Sequence, residues 1–556
     1  MKKLISIVLA VSFALSVHAQ KKDYGHVSAS LESTSHFYVK DQANMFDPSG
    51  LEQFKDGSKG IFASNDYLKA DYYKGRFSAG MQVEGYFPTT VGYPIAMQKM
   101  SVSNLYVAWR DDSYSVTAGT FYEQLGSGLL FRSWEDRTLG LNNALLGARA
   151  TYNFKEYLAV RAFWGIPRLD KITSQYFWTG YKKNTPFFGL GLSKVNVAAA
   201  DVSLSLSECF GWNALSLSLE GSVLNKHDSA PFRMMPENNL AWSGRLNLES
   251  SGFYFRGEYV DAGQQCTFAQ NEPFDADAQL IELGYNSKGL GVSVTGRRLY
   301  RMTQQIATCS LDYDSSVNVM SYCPAMCTQY TYMLTTLHQY QPETGTNLLK
   351  AGEIGGQVDA FYNFRRGTKI GGKRGMKVHA NFSAYSSLDR DGGVKDGELE
   401  FWDFSIDVER QWTKKFKTTL MYSVNEFKDM DADYLGNYVP VGVSHVVVAD
   451  LLYKWTPRLS TRMELQYLFT DGYQGDWMAA LLEVSLAPRW SVFASDMYNH
   501  GVSGLHYYNA GVGFTISNLR ISAGYGRYRA GFICSGGVCR KIPAYTGANL
   551  TLTASF

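Results

Sequence analysis

The sequence predicts an all-β protein: a single large transmembrane antiparallel β-barrel of about 24 strands, in a range of about 20–26, with a loop or plug folded into its lumen. Three observations carry that expectation. Apolar residues recur with a period of two, short turns alternate with long connections, and the apolar rows stand opposite rows of charge.

The period comes first. Phe404, Ile406 and Val408 alternate with Ser405, Asp407 and Glu409; Met463, Leu465, Tyr467 and Phe469 alternate with Arg462, Glu464 and Gln466. A period of two means strands whose two faces meet different surroundings. A β-sandwich also alternates, but its strands average ~5–6 residues and its inward face is apolar. A propeller would repeat a signature every ~40 residues, and none recurs here. In a barrel the apolar rows meet lipid and the charges line a wet interior. On that basis Arg245, Arg256, Glu258, Asp407, Glu409, Arg462 and Glu464 are assigned to the lumen wall.

Connection lengths set the topology. Tight turns fall at 73–77, 110–114, 154–157, 249–254, 286–290, 412–417, 455–459, 486–490 and 516–520. Longer, irregular stretches lie between, at 39–64, 123–145, 166–199, 260–276, 300–352, 425–442 and 529–545. Short turns facing the periplasm and long loops facing outside is the layout of an outer-membrane barrel. By the same parity FRRGTKIGGKRGMK (364–377), with Arg365, Arg366, Lys369, Lys373, Arg374 and Lys377, is a long inner turn. Such a turn is either solvated beside the membrane or docks an acidic partner or lipid phosphates.

The two ends agree with export and insertion. Lys2 and Lys3, the apolar run Leu4 to Val17, and Ala19 read as a secretory signal peptide over 1–19, leaving 20–556 for the barrel. No Cys follows that apolar run, which disfavours a lipidated N-terminus, and no other stretch of ~20 apolar residues could form a membrane helix. Strands begin almost directly after the leader, so a separate N-terminal plug domain of the energised-importer kind is not expected. The last strand alternates Ala548, Leu550, Leu552, Ala554 and Phe556 with Asn549, Thr551, Thr553 and Ser555. A terminal aromatic strand is what outer-membrane barrels present to their assembly machinery. The expected partners are therefore outer-membrane lipids and that machinery, and the formal net charge of +2 argues against nucleic acid.

The seven Cys include CSGGVC, in which Cys534 and Cys539 read as a disulfide stapling a loop tip. Cys266, Cys309, Cys323 and Cys327 leave three possible pairings open, and Cys209 reads as a free thiol. Cys323-x3-Cys327 lacks a nearby His, and no His pair has ligand spacing, so no metal or other cofactor is expected. No Ser/His or Asp/His set stands apart from scattered strand-end residues. Enzymatic activity is not expected, and an outer-membrane hydrolase is the remotest reading.

The stretch GTFYEQLGSGLLFRSWEDRTLGLNNALLGA (119–148) breaks the alternation. It is too charged to lie in lipid and too apolar (Leu129, Leu130, Phe131, Trp134, Leu139, Leu141) to project into water. It fits inside the barrel mouth, where Arg132 and Arg137 would pair with Glu123, Glu135 or Asp136 across the lumen. Glu123, Arg132, Trp134, Glu135, Asp136 and Arg137 are assigned to a constriction formed by 123–145, and 300–352 is a second candidate plug. A barrel of ~22 strands or more encloses a space that natural examples fill.

The same run, extended to 119–150, resembles the signature of a family of uncharacterised outer-membrane barrels from Bacteroidota, classed only as a domain of unknown function. The resemblance implies a location and a fold. It implies no activity and no catalytic residues. The expected function is a porin-like channel or transporter for small polar solutes with a loop-restricted lumen. The alternative is a non-conducting scaffold that binds surface lipoproteins or secretion partners.

Overall fold

The computed structural model describes residues 24–556 apart from 55–60, 94–98, 169–191, 194, 230, 232–233, 267–271, 304–319, 338–350, 390–392, 394–396, 433–437, 473–474 and 536–537. The leader expected at 1–19 and Cys309 therefore lie outside the described residues, as do the side chains of Cys534 and Cys539.

Twenty-four strands form one closed sheet. Each pairs antiparallel with its neighbour along the chain, and the first, His26–Tyr38, also pairs with the last, Tyr545–Ser555. Closure leaves no sheet edge, and so no row of unsatisfied backbone groups facing hydrocarbon. Strand lengths run from the 8 residues of Tyr114–Phe121 to the 17 of Phe416–Ala432.

One end carries tight turns such as Lys74–Phe77, Ser250–Phe253, Ser287–Leu290 and Ile516–Leu519. The other carries the long connections 38–62, 121–145, 300–352 and 528–545. Two turns at the tight end are longer. One holds a short helix, Leu206–Phe210, capped by the Ser205 side chain, and the other is the basic stretch 365–375.

One expected loop is largely strand. The stretch 425–442 is covered by Phe416–Ala432 and Tyr438–Lys454, which stay paired out to Ala432 opposite Tyr438, with a register shift between Phe427 and Met430. Polar residues in this stretch suggested a loop. Backbone pairing does not depend on an apolar row, so the ladder continues where the alternation on which the sequence reading relies has ended.

The outer surface has the profile of a bilayer. Val223, Ile281, Leu283, Leu420, Val447, Leu482 and Leu550 are exposed along the middle of the strands. Exposed Trp109, Tyr152, Trp412, Trp455 and Trp490 mark the tight-turn end, and Trp164, Trp242, Tyr259 and Phe469 the other. An aliphatic band between two aromatic belts is the pattern of transmembrane barrels. An apolar surface of this extent is not sustained by a water-soluble monomer.

The lumen is not polar all round. Inward-facing Val195, Val197, Ala199, Leu224, Ala241, Val260, Ala276, Ala278 and Leu299 form a buried apolar sector, covered by chain from inside. Here the lumen row is apolar while the facing-out row, Asn196, Ala198, Ala200 and Val202, is made mostly of small residues, so this strand lacks the polar inward row expected of a wall strand.

Candidate functional site

The segment between the strands Tyr114–Phe121 and Leu145–Phe154 folds into two small hairpins. Gln124–Leu125 pairs with Phe131–Arg132, and Glu135–Asp136 with Leu141–Asn142. Gly126 makes the first turn possible. It sits at φ +56, and a side chain there would collide with the Glu258 carboxylate on the wall. Leu125, Leu129, Leu130 and Phe131 pack onto the apolar lumen sector together with Phe163, whose ring lies 5.4 Å from that of Phe131.

Charge fixes the segment at both ends. Glu123 receives Arg161 at 2.7 Å and Arg149 at 3.2 Å, both from the wall. Arg161 continues to Asp201 at 2.8 Å, and Asp201 also takes Arg245 at 2.5 Å, which pairs with a second acid, Glu220, at 2.8 Å. The backbone N–H of Ser127 donates to Glu258 at 3.0 Å. On the far side Arg137 donates to Glu32 at 2.6 Å and to Gln82 at 3.1 Å, pairs with Glu135 at 3.3 Å and lies over the Tyr67 ring at 4.3 Å. Gln82 in turn donates to Glu135 at 2.7 Å. Glu32, Tyr67 and Gln82 stand on the first three strands and Glu258 on Phe253–Gln265. A segment that reaches inward residues on strands so far apart around the ring runs through the interior.

Two expected pairings are replaced. Among the described residues Arg132 meets no acid. Its guanidinium stacks on Tyr322 at 3.9 Å and on Trp134 at 5.1 Å, and its backbone N–H donates to the Met320 carbonyl at 2.6 Å. Glu123, expected to face Arg132 or Arg137, is taken by two wall arginines. Asp136 likewise spans nothing: it accepts from the N–H groups of Thr138 at 3.0 Å and Leu139 at 3.1 Å and holds its own turn. Short-range capping outcompetes a long reach for a side chain this short.

A second inward segment, 320–337, lies against the first through Tyr322 N–H to the Gly128 carbonyl at 2.9 Å. It is held along its length. Arg297, ion-paired with Glu353 in full burial, donates to the Pro324 carbonyl. Tyr385 donates to the Met326 carbonyl at 2.8 Å, Tyr330 to Asp407 at 2.8 Å, and the Leu334 N–H to Gln466 at 2.9 Å. Leu334 then packs among Met421, Val446, Val448, Leu468 and Trp477 of the opposite wall. Asp407 is shared with His379 at 2.7 Å, which also meets Asp359 at 2.6 Å. Gln466 leads into Glu464, Arg462 and Asp450, with Arg462 2.5 Å from Glu464 and 3.0 Å from Asp450. Arg256 and Glu409 pair along the wall instead, Arg256 with Glu249 at 3.4 Å and Glu409 with Lys417 at 2.8 Å.

Cys209, Cys323 and Cys327 are free thiols, so Cys323 and Cys327 are not bridged. Burial pushes the Cys323 thiol up to about 12 and that of Cys327 higher, which keeps both protonated and unreactive. Cys534 and Cys539 stand directly opposite in a two-stranded ladder at the level of the backbone. Among the described residues no cluster of His, Cys, Asp and Glu could hold a metal ion.

Sequence reasoning missed Glu32, Gln82, Arg149, Arg161, Asp201, Glu220 and the buried pairs Arg168–Glu84 and Arg297–Glu353. The phase of alternation would have found Arg149 and Arg161, which face away from lipid-exposed Tyr152 and Trp164. It could not have said which acid each one meets. Above the second segment, at the long-loop end, a cleft of about 880 Å³ is lined by residues including Phe46, Trp477, Asn499, Tyr507, Arg529 and Pro543.

A closed antiparallel barrel with an aliphatic band between aromatic belts, and with charged residues facing inward, is an integral protein of the bacterial outer membrane. The chain belongs to a family of unknown function, DUF6029, whose model matches residues 1–556. No curated protein matches it in sequence. Among solved structures it is similar to the siderophore receptor PirA from Pseudomonas aeruginosa, at 8% identity and TM-score 0.41, over 97% of this chain and 81% of that chain. It is also similar to a mutant of the ferric enterobactin receptor PfeA from Pseudomonas aeruginosa, at 11% identity and TM-score 0.41, over 96% and 81%. A triple mutant of the Rhodopseudomonas blastica porin is similar at 11% identity and TM-score 0.28, over 62% of this chain and 100% of that one.

Proposed function

We propose that the barrel is a porin-like channel or transporter for small polar solutes, and that 123–145 and 320–337 together form its constriction. The observation that carries this reading is the way both segments are held. Each is tied to lumen-facing side chains on well-separated strands, the charged Glu32 and Arg161 for the first, the charged Asp407 and the neutral amide of Gln466 for the second. Arranged charges of both signs in a narrowed lumen are the means by which pores select solutes. The cleft of about 880 Å³ at the long-loop end supplies an entrance.

One observation favours a second reading, a non-conducting scaffold. Leu125, Leu129 and Phe131 are fully buried against the wall, as in a permanent seal. Swelling of proteoliposomes in arabinose and in raffinose separates the two. A channel is expected to admit arabinose in the wild type and raffinose as well once Gly126 to Leu141 are deleted. A wild type impermeable to arabinose beside a permeable deletion would sink the channel reading and leave the scaffold.

A further inference from the structure

The basic turn lies at the tight-turn end, which in barrels of this kind faces the periplasm, and among the described residues no carboxylate pairs with it. It follows the strand Gly352–Phe364 and precedes Met376–Ser387. Internal hydrogen bonds order it: Gly367 N–H to the Gly372 carbonyl at 2.7 Å, Gly372 N–H to Thr368 at 2.8 Å, and Gly375 N–H to Gly371 at 2.8 Å. Gly367 and Gly372 take φ +85 and +60, which lets so tight a loop form. On this frame Arg365, Arg366, Lys369 and Lys373 are exposed and Arg374 is half-buried. Among the described residues none of the five has a carboxylate partner. Elsewhere in this barrel Arg137, Arg161, Arg245, Arg297 and Arg462 all meet acids.

The turn borders a cleft of about 550 Å³ lined by residues including Lys288, Phe364, Arg365, Arg366, Arg374 and Lys377. Among the described residues that line it the single carboxylate, Glu409, is already engaged by Lys417 at 2.8 Å. Strand phase gives the cleft its direction. Val358 and Tyr362 face lipid, so Asn363 faces inward, and so do Lys377 and Glu409, which follow it in register. The charged side of the cleft, with Lys377 and Glu409, therefore faces the periplasmic mouth, while Phe364 and Met376, in phase with Tyr362, stand on its outer side. Within the turn Ile370, next in sequence to Lys369, is 53% exposed.

Like charges repel within a screening length of ~8–10 Å, and the ordered turn gathers these five cations on one short stretch of chain all the same. Such a patch raises the local concentration of anions and speeds their capture. A lone phosphate would engage a few of these cations and would leave Ile370 without a role. Cations spread along a turn with one exposed apolar residue match a chain with spaced carboxylates and an apolar side chain among them. We propose that residues 365–375 with Lys288 and Lys377 form a docking surface for an acidic peptide segment of a periplasmic protein. Its carboxylates sit on the arginines and lysines, and an apolar residue packs on Ile370. The surface lies at the opposite end of the barrel from the solute cleft and does not depend on whether the lumen conducts.

The test uses the full-length barrel in neutral detergent and two fluorescein-labelled probes, an alternating glutamate–leucine peptide and hexaglutamate, followed by anisotropy. Saturable binding is expected at ~50 mM salt, weakening about tenfold by ~300 mM as screening grows. The triple variant Arg365→Gln, Arg366→Gln, Arg374→Gln is expected to weaken both probes about tenfold or more, in keeping with the loss of charge-assisted contacts. Ile370→Ser is expected to weaken the glutamate–leucine peptide and leave hexaglutamate unchanged. Slower gel migration after heating confirms that each variant had folded, and Lys369→Gln with Lys373→Gln replaces the triple variant should it fail. The proposal is overturned by the absence of binding at low salt, or by binding that the charge variants leave unchanged. It is equally overturned if tripolyphosphate displaces both probes and Ile370→Ser changes neither, which would make this a phosphate site.

Discussion

Replacing Arg297 with methionine is expected to cost the barrel about 3–5 kcal/mol, the range for breaking a buried ion pair from one side. The side chains of Arg297 and Glu353 are 1% and 0% exposed, so removal of the cation strands a carboxylate where water cannot reach it. The loss extends beyond the pair. Arg297 also donates to the Pro324 carbonyl and lies 5.6 Å from the Tyr385 ring, while Tyr385 holds the Met326 carbonyl. The second inward segment thus loses one anchor directly and a second loosens. Replacing both charges, Arg297→Met with Glu353→Leu, is expected to recover most of the stability, because two apolar side chains bury without penalty. Urea unfolding of the barrel in vesicles measures this. A single-variant loss under ~1 kcal/mol would mean that the site admits water and that the pair is not what seats this segment.

The second large effect is expected at Glu123, and it is functional. Glu123→Gln keeps the shape and removes the charge that gathers Arg149 and Arg161, at about 1.5–3 kcal/mol for each charge-assisted hydrogen bond weakened. Arg161 retains Asp201 at 2.8 Å, so the wall ladder survives while the first inward segment loses its hold at one end. Single-channel records of the variant are expected to show frequent transient openings above the wild-type level. Arg149→Gln, which removes the longer of the two contacts, should give fewer. Records indistinguishable from wild type for Glu123→Gln would place the hold on this segment in its apolar face alone.

Much of the fold was legible because a bilayer imposes a simple code. Wall strands such as Leu399–Gln411 and Leu459–Thr470 carry lipid-facing apolar rows and inward charges, and their period is readable without any knowledge of partners. The code fails where another part of the chain replaces water. At Val195, Val197 and Ala199 the lumen side is apolar because Leu129, Leu130 and Phe131 cover it, and no local pattern announces a cover that arrives from residues far away in sequence. The site was legible to the same extent. The run from Glu123 to Arg137 stood out because it broke the period, but the partners of each charge depend on how the segment lies across the ring. Arg132 found two aromatic rings, one of them Tyr322 from the other inward segment. Arg297 and Arg298 are adjacent and chemically alike, yet one faces the lumen and the other pairs with Asp277 on the outer side at 2.5 Å. Phase alone separates them. In 425–442 the sequence understated order, since backbone pairing needs no apolar row.

The central claim is that two inward segments restrict a lumen that would otherwise be open. It is tested most directly by the single-channel conductance of the refolded barrel in a planar bilayer, wild type beside a deletion of Gly126 to Leu141. The expected result is a small, steady conductance in the wild type and a markedly larger one in the deletion, as the first segment leaves the space between Glu32 and Arg161. Equal conductance in the two proteins, with the deletion still folded, would contradict it.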